Sequence, residues 1–84
     1  MITRLDFDNA DNVDRLAMVF DEGREILSRI YVYYVVKLYL LNDFYVEVWY
    51  RQESNTIDKI KRVEMDDVFH LYAPTIDISD VFEP

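Results

Sequence analysis

The sequence predicts an α+β fold: a long N-terminal helix packed on a three-stranded antiparallel meander, followed by a short C-terminal helix and a tail. Three observations carry this expectation. Apolar residues at helical spacing run from Val13 to Ile30. A β-branched and aromatic stretch from Ile30 to Gln52 has its turn signal at Asn42 and Asp43. A shorter helical stripe, Met65, Val68, Phe69 and Tyr72, stops before Pro74.

Taken in order, residues 2–7 read as an extended lead with Leu5 and Phe7 on one side. Asp8, Asn9, Asp11 and Asn12 supply caps and favourable charges for a helix N-terminus, so a helix is expected over about 11–29. Its stripe is Val13, Leu16, Ala17, Phe20, Gly23, Leu27 and Ile30, widened by Val19 and Ile26. Gly23, the only glycine, admits two readings: it lets a bulky aromatic side chain approach the helix backbone, or it ends the helix early.

Strands are expected over about 30–41, 44–52 and 57–63, a helix over about 65–72 and a tail over 75–84. For the hairpin, a two-residue loop sets Leu38 opposite Glu47 and Lys37 opposite Val48, putting charge on both faces. A three-residue loop, Leu41 to Asp43, pairs Leu38 with Val46, Val36 with Val48 and Tyr34 with Tyr50, leaving one face apolar. The odd loop is the expectation, with Asp43 as its left-handed residue. It sets Lys37 beside Glu47, Val35 beside Trp49 and Tyr33 beside Arg51 on the opposite face.

At 84 residues with 51% hydrophobic content, one glycine and two prolines, the chain reads as a single domain, 1–84, with short connections. It has no cysteine, which excludes disulfides and thiolate chemistry. The longest apolar run, Ile30 to Val36, is far short of the ~20 residues of a membrane span. A cytoplasmic location is expected, with no membrane association. Net charge is −8, unevenly spread: residues 1–14 hold four acids and one base, 15–63 seven acids and eight bases, and 64–84 six acids and no base. That balance disfavours nucleic acid and anionic surfaces as partners.

No motif carries catalysis or ligation. His70, the one histidine, follows Asp66 and Asp67 by a helical turn, but no activated nucleophile accompanies it, and Ser28, Ser54 and Ser79 lie in no nucleophile-elbow context. Asp6, Asp8 and Asp11 fail the calcium-loop pattern, with Ala10 and Asp11 standing where a ligand and glycine belong, and read as caps. Lys59, Lys61 and Arg62 read as guards of an edge strand. The tail pairs Ile76 with Ile78 and Val81 with Phe82 among acids, a pattern that docks on something.

The expectation is therefore a non-enzymatic interaction or self-association module, without metal or cofactor, paired as a homodimer or with a protein partner. Its interface is expected at Tyr31, Tyr33, Val35, Lys37, Tyr39, Tyr45, Glu47, Trp49 and Arg51. A second reading is a binder of a small apolar ligand held between helix and sheet near Gly23. An enzyme is third.

Overall fold

A computed structural model describes residues 1–75. Two short helices, α1 (Arg4–Asp8) and α2 (Asn12–Glu22), precede four strands, β1 (Arg24–Tyr31), β2 (Tyr34–Leu41), β3 (Phe44–Arg51) and β4 (Thr56–Val63). Then follow α3 (Met65–Tyr72) and a 3-10 turn, Ala73–Thr75. The strands form one antiparallel sheet in the order β1-β2-β3-β4. The α+β class, β3, β4 and α3 agree with the sequence reading. The tail's expected docking lies outside the described residues.

The N-terminal half differs in three ways. Residues 4–8 are helical rather than extended, because Thr3 and Asp6 form a capping box in which each side chain accepts from the other's backbone N–H. The second helix starts where expected, with Asp11 Oδ1 accepting from the Asp14 N–H at 2.9 Å, but it ends at Glu22. Of the two readings of Gly23 the structure takes the second. The Gly23 N–H closes the last turn on the Val19 carbonyl at 2.8 Å, and the backbone then turns extended. Finally, the segment expected as the helix's second half is β1, which makes the sheet four-stranded.

The hairpin register also differs. Asn42 and Asp43 alone form the β2–β3 turn, with Asn42, not Asp43, in the left-handed region at φ 56°, so Leu38 lies opposite Glu47, Val36 opposite Trp49 and Lys37 opposite Val48. The charges that argued against this register are both accommodated. Lys37 pairs with Glu25 at 3.2 Å instead of with Glu47, and Glu47 is buried beneath donors from β1, β3 and α3.

Each face of the sheet has its own core. Tyr39, Leu41, Phe44, Val46, Val48 and Ile60 pack with Phe7 of α1 and Val19 of α2. On the opposite face Leu38 packs with Val68 and Tyr72 of α3, joined by Leu27, Tyr45 and Val63. Arg15 of α2 ties the first layer together, donating to the carbonyls of Phe7, Asp8 and Ile60 with its guanidinium 4.7 Å over the Phe7 ring. Each strand has eight residues, about 27 Å of sheet, whereas the eleven residues of α2 reach about 16 Å. The N-terminal helices sit at the Asn42 end, where Asn42 donates to the Ile2 carbonyl and Arg4 to Asp43. Among the described residues, the sheet therefore outruns the α1 and α2 layer on that face at the other end, where β1 turns into β2. No helix of the described residues is long and apolar enough to cross a membrane.

Candidate functional site

On the α3 face, the end of the sheet nearest the β1–β2 turn is built around Trp49. Strand β3 places Glu47 and Trp49 on the α3 face, β1 brings Arg29 there opposite Val36, and β4 brings Lys61 opposite Glu47 and Lys59 opposite Trp49. Glu47, 1% exposed, accepts from the Tyr72 hydroxyl at 2.7 Å, the Trp49 indole N–H at 3.2 Å and the Arg29 guanidinium at 3.4 Å. Three donors from three elements make burial of a carboxylate tolerable there. Burial, and then donation to Glu47, push the Tyr72 phenol well above its ordinary range.

Arg29 is 8% exposed and lies among three rings, its guanidinium 5.2 Å from Trp49, 5.3 Å from Tyr72 and 5.8 Å from Tyr31. Among the described residues its Nε has no hydrogen-bond partner. With Glu47 taken up by Arg29, Tyr72 and Trp49, Lys61 does not pair with the acid it faces. Its ammonium sits 5.4 Å over Trp49, and that of Lys59 sits 4.8 Å from the same ring. Tyr31 and Tyr34 close the indole edge-on at 5.8 and 5.3 Å. These groups, with Val68 and Leu71 of α3, line an open depression of about 460 Å3. At its rim Tyr34 and Arg51 both donate to Asp58, whose carboxyl is held below the usual range, first by Arg51 and then by Tyr34.

Next to this depression stands the β1–β2 turn, which carries no conventional turn residue. Ile30, Tyr31, Val32 and Tyr33 are 74, 52, 64 and 68% exposed, and Val32 is in the left-handed region at φ 55°. A β-branched residue there is a steric outlier.

The nine residues expected at an interface do not share one face. Tyr31, Tyr45, Glu47, Trp49 and Arg51 are on the α3 side; Val35, Lys37 and Tyr39 are on the side of α1 and α2; Tyr33 is in the turn. Tyr31, Tyr33 and Arg51 are exposed, Val35, Lys37 and Tyr45 half-buried, and Tyr39, Glu47 and Trp49 buried. The sequence reading missed Arg29 and Tyr72 as members of the cluster and the turn at Val32. The available signal for Arg29 was a lone charge in the run Ile26 to Val36, where Ser28 beside it is the one other non-hydrophobic residue. His70 is exposed on α3, and among the described residues no three side chains of metal-ligating type come together. Gly23 has no space beside it: a Cβ there would meet the Val19 carbonyl oxygen at 2.5 Å.

Comparison with known proteins finds no matching family model, no matching curated protein and no matching solved structure.

Proposed function

We propose that this chain is a non-enzymatic interaction module that self-associates through the β1–β2 turn end of its sheet. The observation that carries the reading is the turn itself: four consecutive apolar side chains, Ile30 to Tyr33, exposed together, with Val32 held in a backbone region that costs about 1–2 kcal/mol. Asparagine or glycine serves such a turn without strain. An exposed valine there gains nothing for the isolated fold, and an apolar cluster of this kind is what an interface uses.

A second copy is the partner that fits. Residues 30–36 carry no charge, and Asp8 of α1 is engaged by Arg62 toward the opposite end of the sheet. Two-fold contact at the β1–β2 turn therefore joins apolar side chains, and the charges nearest them, Arg51 and Asp58, are already paired with each other. β1 is also a sheet edge, with backbone groups open to a neighbour.

The test is Val32→Asn, which relieves the left-handed strain and removes the apolar tip in one change. Sedimentation equilibrium at micromolar concentration is expected to give twice the 10.2 kDa chain mass for the native protein and 10.2 kDa for the variant. The variant monomer is expected to melt no lower than the native protein at equal dilution. A native protein that sediments as a monomer at high concentration overturns the reading.

A further inference from the structure

We propose that the depression over Trp49 is a binding site for a small organic oxyanion, a carboxylate or phosphate carried on a compact apolar body. In a chain of net charge −8, this depression gathers three cations, Arg29, Lys59 and Lys61, against the one carboxylate of Glu47. Glu47 is already supplied by Tyr72, Trp49 and Arg29. Among the described residues neither lysine forms a salt bridge, and both ammoniums are held over one indole at 4.8 and 5.4 Å. Two like charges converging on one ring repel each other, and the repulsion is relieved by an anion between them.

The second observation is independent of the lysines. Arg29 lines the depression, is more than nine-tenths buried, and among the described residues its Nε has no partner. A buried guanidinium whose donors are not all taken keeps positive charge at the floor of the depression, where it adds to the attraction for an anion. Guarding an edge against stray strands needs lysines anywhere along β4. It does not need them at two positions flanking Trp49, nor does it involve Arg29. The apolar walls, Val68, Leu71, Tyr31 and Tyr34, suit a hydrocarbon body, and about 460 Å3 suits a small molecule. A polymer of phosphates is a poorer occupant, because a chain of net charge −8 repels it at long range.

The chain's single tryptophan reports on the site directly. Phenyl phosphate and benzoate, titrated separately at constant ionic strength, are expected to change Trp49 emission saturably, and the ratio of their affinities identifies the preferred head group. Lys59→Met and Lys61→Met keep the apolar stems over the indole and are each expected to weaken binding about tenfold, the worth of one charge-assisted contact. The Val32→Asn monomer is expected to bind as the native protein does, since Val32 does not line the depression, so loss of self-association and loss of anion binding are read separately. No saturable response to either compound, a response matched by sodium chloride, or one undiminished in the double lysine variant overturns the proposal.

Discussion

A buried carboxylate is stable only while its oxygens are supplied with donors, and at Glu47 the closest donor is the Tyr72 hydroxyl at 2.7 Å, against 3.4 Å for Arg29. Tyr72→Phe removes that donor without leaving a cavity. It is expected to destabilise the fold by about 1.5–3 kcal/mol, the range for a hydrogen bond to a charged group, read as a lower denaturation midpoint with an unchanged slope. A midpoint within error of the native value would mean that Trp49 and Arg29 suffice. The same reasoning bears on Trp49. At 8% exposure it belongs to the folded interior, so Trp49→Glu would place a second carboxylate beside Glu47 and unfold the chain instead of reporting on association. Val32, exposed and strained, is the residue at which folding and association separate.

At the scale of elements, the decisive position is Gly23, where α2 gives way to β1. Val19 carries the last helical carbonyl to be closed, and the Gly23 backbone lies so near it that a Cβ would stand 2.5 Å from the oxygen. Gly23→Ala is therefore expected to destabilise by about 1–3 kcal/mol, as overpacking against a backbone atom does, although alanine is the better residue within a helix. Thermal denaturation followed by circular dichroism checks the sign; a neutral or stabilising alanine would show that the chain turns as easily without glycine. β1 itself is bulged between Glu25 and Leu27, which shifts the side-chain alternation along the strand. Leu27, Arg29 and Tyr31 then share one face, and the buried member in the middle is an arginine.

Across the whole molecule, the N-terminal helices are fastened to the sheet by the apolar core around Phe7 and Val19 and, at its edge, by ion pairs. Arg62 of β4 reaches both oxygens of Asp8 at 3.1 and 3.0 Å, and that ion pair holds the Asp8 carboxyl below its usual range. Asp58, beneath Arg51 and Tyr34, is lowered in the same direction. Groups with depressed folded values contribute stability that is complete above the unfolded value of about 3.9 and is lost as pH falls through the lower folded values. Melting temperature is thus expected to hold down to about pH 4 and to drop below it. Both carboxylates are solvent-facing, so the effect should shrink in high salt. The Asp8→Asn, Asp58→Asn variant is expected to lose part of the acid-induced drop; an identical pH profile in variant and native protein would assign it to other carboxylates.

Local chemistry was sufficient wherever an element announces itself within a few residues. Asp11 caps α2 by its own side chain, α3 repeats its apolar positions within two turns before Pro74, and β3 and β4 are bounded by polar turns. These, the α+β class and the crowding of aromatic residues in one stretch, were legible from the sequence by itself. What it could not determine were features settled by partners far along the chain. Leu27 and Ile30 fit a helical stripe as well as a bulged strand, and only pairing with β2 selects the strand. The Val32 turn has no turn residue, so the run Ile30 to Leu41 reads as one strand until the sheet folds back on itself. The hairpin register seemed to forbid burying Glu47. It is permitted because Arg29, 18 residues earlier, and Tyr72, 25 residues later, arrive at the same carboxylate. Burial of a charge is decided by the full set of donors around it, and that set exists only in the tertiary structure.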